Sequence, residues 1–473
     1  MARIVIIGAG VVGLGTGLLL AKDGHTVTAL ERDPEPAPTD PERAWEDWNR
    51  RGVNQFRLPH FFLARFRQIV DTELPELAAA LEKAGALRLN MISDVIPESM
   101  TGGWRDGDEA YAVLTARRPV MEAALAAIVR DQPNLDLRRG TAVAGLSTGP
   151  ATSAGVPHVD GVVTEAGETI PADLVVDMSG RRSALPRWLE AIGAGPAHEE
   201  LDDSGFIYFG RHFRSADGSI PPMLGGGLQH YGTVSTLSLP ADNGTWAVAL
   251  IVSAKDKALL GLRDPDRWAA TFRRFPLVAH WLDGTPLEDN ITVMAKIEDR
   301  YRSLAPQGRP VVTGLVNVAD AWACSNPSVG RGASIGMLHG QLLRDQLRSV
   351  GLNDPLTFAN EFHRATAVQV EPWYRDTLQG DRDRLAEIEA AGRGEVYNPG
   401  RADWELSHQI AAAQGSDGDC IRAALAVAFV LERQADLEGR PDLLDKIRTN
   451  GADWRNRPVL GPDRAELVSL AGA

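Results

Sequence analysis

The chain has 473 residues, 44% of them hydrophobic and 24% charged, which is the composition of an ordinary globular protein with room for two or three domains and excludes a disordered one. A net charge of -14 excludes nucleic acid or an anionic membrane as the main partner, because both require a basic surface. The two cysteines, Cys324 and Cys420, are too far apart to suggest metal-ligand spacing or a disulfide framework, so no metal and a cytoplasmic location are expected.

The apolar run over 4–20 is interrupted by Gly8, Gly10, Gly13, Gly15 and Gly17 and leads through Lys22-Asp23-Gly24-His25 into another strand-like run. It is therefore expected to be part of the fold and neither a leader nor a membrane span. Residues 3–7 form a buried strand, 11–23 a helix and 26–30 a second strand, together one βαβ unit. Pro34, Pro36, Pro38 and Pro41 mark a loop, and 61–84 carries helical spacing in two segments around Pro75. Arg118-Pro119 opens another helix.

The pattern then alternates over 135–170, which predicts an antiparallel hairpin with a variable loop at 148–157, before a buried strand at 174–176. Short alternating runs over 206–213, 233–239, 245–252 and 291–300 predict a separate β-layer. A last strand is expected at 310–315 and a helix at 332–350, and everything beyond Pro355 reads as mostly helical. No internal repeat is present.

Gly8-Ala9-Gly10-Val11-Val12-Gly13 is a G-x-G-x-x-G fingerprint between that first strand and helix. Its first glycine makes the turn, the second admits a pyrophosphate and the third lets helix pack on strand. Glu31 ends the second strand, where a carboxylate accepts ribose hydroxyls, and the helix N-terminus favours phosphate. These residues define a dinucleotide site without choosing the dinucleotide.

Two later segments narrow the choice. The run Ala172-Asp173-Leu174-Val175-Val176-Asp177-Met178-Ser179-Gly180-Arg181-Arg182-Ser183 is the first. The second is Val318-Ala319-Asp320-Ala321, continuing through Asn326-Pro327-Ser328-Val329-Gly330-Arg331-Gly332. In order and spacing they resemble the motifs of the p-hydroxybenzoate hydroxylase-like flavoproteins, a family of aromatic hydroxylases, epoxidases and flavin-dependent halogenases. The resemblance spans about the first three quarters of the chain.

It implies an α/β protein whose Rossmann-like FAD-binding domain, over 1–185 and 301–354, is interleaved with an antiparallel β-sheet substrate domain over 186–300. A mostly helical C-terminal region over 355–473 follows. It also implies that Asp320 holds the ribityl chain of FAD and that Pro327, Gly330 and Gly332 pass the flavin ring. Amides at the start of the following helix would stabilise negative charge on reduced flavin. Arg118 and Arg51 match family arginines that face the cofactor phosphates, and Arg32 covers the adenosine side.

Arg331 is the candidate catalytic residue, a cation placed to stabilise the anionic ring and a departing peroxide oxygen. Trp322 and Asn326, with Cys324, lie in the loop near the ring. Tyr208, His212 and His230, with Tyr301, come from the β-layer expected to cover it. All of these are candidate substrate contacts.

The implied activity is a FAD-dependent monooxygenase that hydroxylates or epoxidises an apolar or aromatic small molecule, with oxygen as co-substrate, through a flavin C4a-hydroperoxide. Aromatic hydroxylases usually carry Asp-Gly where this chain has Ser179-Gly180, and no second glycine fingerprint exists for a nicotinamide domain. NADH or NADPH is therefore expected to act either by docking directly or through a separate flavin reductase. Trp45-Glu46-Asp47-Trp48 does not supply the Trp-x-Trp-x-Ile-Pro segment of the halogenases, which places halogenation behind oxygenation. Two further readings stay open: a flavin dehydrogenase or reductase of the same fold, similar to the geranylgeranyl reductases, and a flavin- or nucleotide-binding sensor.

Overall fold

A computed structural model describes residues 1–472. At its centre is a five-stranded parallel sheet in the order Leu315–Asn317, Leu174–Asp177, Arg3–Ile7, Thr26–Glu31, Leu135–Arg139. The inner strands are apolar on both faces because helices cover one side and a β-hairpin the other, as a parallel sheet requires. The fingerprint helix Val11–Lys22 is buried nearly all round, packed between this sheet and the helices Arg118–Arg130 and Gly332–Ser349. That is why it lacks a polar stripe.

The strand Leu135–Arg139 corrects the sequence reading. It pairs in parallel with Thr26–Glu31, whereas the antiparallel hairpin begins at Val143. Strands Val143–Ser153 and Val156–Thr164 run through the expected variable loop and turn at Ala154-Gly155, where Gly155 adopts φ +78°. The strand expected at 310–315 is displaced to Leu315–Asn317. Gly314 is left-handed at φ +71°, and a Cβ on it would lie 2.0 Å from the Val159 carbonyl oxygen, so extended pairing starts only beyond it.

The β-layer is an antiparallel sheet built on Phe206–Arg214, Leu228–Tyr231, Val234–Pro240 and Thr245–Ser253, with Thr292–Met294 added at its side. Between these strands lies a helical insert, Lys257–Arg263, Pro265–Phe272 and Ala279–Leu282, which the alternating pattern did not announce. Its Trp268, Phe272 and Trp281 pack with Trp246 into a second core. A small sheet of His198–Asp203, Glu298–Ser303 and Ala323–Cys324 joins the layer to the loop after Asp320.

Helices Pro355–Gln369, Glu371–Gly392, Ala402–Ala413, Gly418–Ala428 and Pro441–Asn450 form the C-terminal region, and a last helix, Arg464–Ala471, packs back on the helical insert. Among the described residues no helix is long and apolar enough to cross a membrane, and no cluster of side chains has metal-ligand geometry.

Candidate cofactor and substrate cleft

A cleft of about 1870 Å³ runs from the glycine fingerprint, past Asp320 and the Pro327–Val329 turn, to the C-terminal helices. One small ligand commonly fills about 300–1,000 Å³, so the cleft has room for a cofactor and a second molecule.

The three fingerprint glycines have distinct surroundings. Gly8 adopts φ +106°, and a Cβ there would lie 2.5 Å from the Met178 carbonyl oxygen. A Cβ on Gly13 would lie 2.2 Å from the Gly8 oxygen. At Gly10 the nearest atom is an Arg118 Nη at 4.0 Å, so this backbone alone of the three faces open cleft. Turn, close packing and ligand approach are thus divided among the three positions.

Glu31 is buried beneath the fingerprint and accepts from the backbone N–H groups of Ala9 at 3.1 Å and Asp33 at 3.0 Å. Its principal cation is Arg50, which also pairs with the buried Glu122 and donates to the Ala9 carbonyl at 3.2 Å. Arg51, expected at this place, is exposed and outside the cleft lining, because its neighbour Arg50 takes the inward position between two carboxylates. Arg32 lines the fingerprint end of the cleft, beside Gly52.

Arg118 lines the cleft, where its Nε donates to Glu122 at 2.8 Å and its Nη1 approaches His60 Nε2 at 3.4 Å. Burial pushes Glu122 upward, but Arg50 and Arg118 outweigh it and hold the carboxyl below its usual range, so it stays ionised. Burial and Arg118 press His60 down to about 3. A neutral ring donating from Nδ1 to the Leu58 carbonyl at 2.9 Å then presents Nε2 as an acceptor to Arg118.

Asp320 lies across the cleft and has no protein hydrogen-bond partner among the described residues. Burial raises its pKa against the pull of Arg118 and Arg181. A half-buried carboxylate without a protein partner, facing the cleft, is free to accept hydrogen bonds from a hydroxylated ligand. The preceding Ala319 sits at φ +54°, a conformation costing an alanine about 1–2 kcal/mol, where the resembled family has glycine. Beyond the loop, Gly330 is left-handed at φ +67°, and the first residue of the Gly332–Ser349 helix has open space where a side chain would be. Pro327, Gly330 and Gly332 all line the cleft.

The remaining candidates divide. Asn326 and His230 line the cleft. Arg331 lines it too, but its guanidinium donates to the Val427 carbonyl at 2.9 Å and Thr377 Oγ1 at 3.4 Å, which makes it a tie to the C-terminal helices. Trp322 touches the cleft from within an aromatic cluster with Tyr301, Tyr374 and His339. Cys324 is buried and its thiol is pushed up to about 12 by burial, which removes it as a nucleophile.

Three residues do not reach the cleft: Tyr301, held in the aromatic cluster and donating its hydroxyl to Glu371 at 3.0 Å, and two others from the β-layer. His212 is turned to Glu288 at 3.1 Å and against Trp45. Tyr208 is wholly buried and donates its hydroxyl to Asn326 Oδ1 at 2.5 Å, so it acts only through Asn326.

Sequence reasoning missed Arg50, His60, Glu122 and Arg181 around the fingerprint. It also missed Asp381, which accepts from Asn326 Nδ2 and Ser328 Oγ at 3.1 Å each and so grips both sides of Pro327. The Arg118 and Glu122 spacing of four on one helix was an available signal.

The parallel sheet with its glycine fingerprint and the β-layer over a shared cleft make up a fold shared with flavin-dependent enzymes of known structure. Residues 3–45 match the family described as FAD dependent oxidoreductase. The chain is 29% identical over 404 residues to Protein Rv3254 of Mycobacterium tuberculosis (strain ATCC 25618 / H37Rv), covering 80% of this chain and 79% of that protein. The flavin-dependent brominase Bmp2 has a TM-score of 0.56 at 14% identity, over 96% of this chain and 97% of its own. For 2-methyl-3-hydroxypyridine-5-carboxylic acid oxygenase the TM-score is 0.53 at 16% identity, over 84% and 95%. At such identities the structural likeness is one of fold.

Proposed function

We propose that the protein is a FAD-dependent monooxygenase that hydroxylates or epoxidises an apolar or aromatic small molecule. The observation that carries this reading is the continuity of the cleft, which passes from the open backbone at Gly10, by the unpaired Asp320, to a chamber between the β-layer and the C-terminal helices. FAD fits the residues present: Gly10 leaves room for a pyrophosphate, Arg118 supplies a cation there, Asp320 meets the ribityl hydroxyls and Glu31 the ribose. Bound FAD would supply electron transfer from a nicotinamide and delivery of one oxygen atom from dioxygen.

The chain's own part is binding, orientation and exclusion of water. The amides opening the Gly332–Ser349 helix place partial positive charge beside the loop of Pro327, where negative charge on a reduced ring is stabilised. Asn326, held by Tyr208, Ser328 and Asp381, fixes that loop. Apolar side chains such as Leu237, Met294, Ile410 and Phe429 line the chamber and keep it dry.

NADH or NADPH is the electron source, docking directly or acting through a separate reductase. The second arrangement draws support from the middle motif, where Asp177 is buried and accepts from Ser179 at 2.6 Å, so its carboxylate faces inward and away from the cleft.

The test is NAD(P)H oxidation under ¹⁸O₂ with a panel of phenols and alkenes, with and without an added flavin reductase. One ¹⁸O atom in a hydroxylated or epoxidised product is expected. Flavin turnover that yields a dehydrogenated or reduced product free of ¹⁸O would establish the dehydrogenase or reductase reading instead.

A further inference from the structure

Asn326 leads into the turn Pro327–Val329 and is held by three elements, each of which takes one of its polar groups. Asp299, on the strand Glu298–Ser303, accepts its backbone N–H at 2.8 Å. Asp381, on the helix Glu371–Gly392, accepts from its Nδ2 at 3.1 Å, and Tyr208, on the strand Phe206–Arg214, donates to its Oδ1. Beyond Pro327, Ser328 Oγ donates to the same Asp381 Oδ1, also at 3.1 Å. Two carboxyls from separate elements therefore clamp this loop.

Neither carboxyl has a charge partner. Both are only 5% exposed, and among the described residues no cation comes within ion-pair distance of either, whereas the similarly buried Glu31, Glu122, Asp108 and Asp242 each meet an arginine. The nearby arginines are engaged elsewhere: Arg331 donates to the Val427 carbonyl and Thr377 Oγ1, and Arg382 faces Asp202 at 3.4 Å. Asp202 and Asp203, on the adjoining strand His198–Asp203, bring further negative charge towards Asp299, and Asp376, near Arg331, is taken by Arg433. Tyr208 stays a neutral phenol, because burial and then Asp381 push it well above its usual range. Cys324 and Tyr374, near Asp299, are likewise kept neutral by burial.

A buried carboxylate without a cation is the costly form, and two of them bound to one asparagine repel each other. Burial raises Asp299 to about 6, and burial together with Asp299 raises Asp381 to about 8. Both donors to Asp381 go to Oδ1, which leaves the buried Oδ2 without a partner and free to carry a proton. In an opened loop the same carboxyls meet water and ionise as ordinary aspartates, near about pH 4.

We propose that Asp299 and Asp381 are positioning residues forming a protonated clamp on Asn326, so that opening of the loop of Pro327 is coupled to loss of a proton from the clamp. Opening, and with it release of a flavin ring lodged there, is then favoured by rising pH. It becomes about tenfold easier per pH unit until the clamped carboxyl itself ionises, and no easier beyond that point. The inference rests on the FAD reading only in placing the ring at this loop, since the clamp needs no ligand.

Hydrogen exchange of the purified protein over residues 319–332, corrected for the intrinsic effect of pH on exchange, reads the opening with no flavin required. Between about pH 6 and about pH 8 protection falls about tenfold per unit and then levels off, and release of FAD from the holoprotein on dilution quickens in parallel. In Asp381→Asn, which keeps the acceptor but cannot ionise, protection and release are level over that range, whereas a merely structural loss would shift them equally at every pH. In Asp299→Asn the levelling moves to lower pH, because the like charge that raises Asp381 is gone. Protection independent of pH in the unaltered protein, an Asp381→Asn protein that keeps the slope, or a loop that exchanges no faster than the core helix Val11–Lys22 overturns the proposal. Should a variant not fold, the slope and its levelling in the unaltered protein decide. The expected slope in a protein that binds no FAD refutes the FAD reading and leaves the clamp standing, whereas the slope without any change in FAD release overturns the role of the loop at the ring.

Discussion

A methyl group added at position 10 and one added at position 13 meet opposite surroundings. At Gly13 it presses on backbone, the Gly8 oxygen 2.2 Å away, so strand and helix must part. That overpacking costs about 1–3 kcal/mol and outweighs the ~1 kcal/mol by which a helix prefers alanine to glycine. At Gly10 it projects into the cleft, where a pyrophosphate has to come close. Gly13→Ala is therefore expected to lower thermal stability, whereas Gly10→Ala keeps the melting temperature and loses about tenfold or more in bound flavin. Thermal denaturation beside flavin content of the same preparations checks both. A Gly10→Ala protein with full flavin would contradict the division of roles.

At the scale of elements, the legible parts were those whose chemistry depends on neighbours in sequence. The fingerprint, Asp320 and the Pro327–Gly332 stretch could be read because a turn and a helix start need particular residues at fixed offsets. Arg50 and Arg51 could not be separated in this way: which one turns inward is decided by Glu31 and Glu122, distant in sequence. The strand Leu135–Arg139 alternates as a hairpin strand does, and only its parallel partner Thr26–Glu31 reveals its place. His212 was turned from the cleft by Glu288, another partner far along the chain. The helix Glu371–Gly392 was legible as a helix, but the use of its Asp381 depended on a loop some fifty residues earlier.

Asp381 also gives this element a pH signature. Burial, then Asp299, raises its carboxyl from an ordinary 3.8 to about 8. The unfolded chain loses that proton first, so the stability due to protonated Asp381 is complete below about pH 4 and is lost as pH rises towards about 8. Asp299, held at about 6 chiefly by burial, acts with the same sign over a narrower window. Asp381→Asn keeps an oxygen acceptor for Asn326 and Ser328 but removes the titration. Urea midpoints measured between about pH 5 and about pH 8 should fall less steeply in the variant. Identical slopes would show that Asp381 is ionised throughout.

At the scale of the whole molecule, the parallel-sheet unit and the β-layer are joined by a wholly buried ion pair. Arg117, at the start of the Arg118–Arg130 helix, contacts Asp242 at 2.6 Å and Glu42 at 2.8 Å, and Asp242 also accepts from the Arg117 backbone N–H. Asp242→Ala leaves the buried guanidinium with only the part-exposed Glu42 as partner and should cost up to about 3–5 kcal/mol in urea denaturation. Replacing both partners by apolar residues, as in R117M/D242L, should recover much of that loss, because no charge is then left buried. A single variant as stable as the parent would show that water reaches the junction.

The joined units matter because the cleft lies between them and ends at the C-terminal helices, so the proposed cofactor and substrate would share one continuous space. The central claim, that this space is built for FAD, is tested most directly by the visible absorbance spectrum of the purified protein, before and after heat release of its ligand. The protein should show flavin absorption and release FAD. A colourless preparation that cannot be reconstituted with FAD would contradict the account.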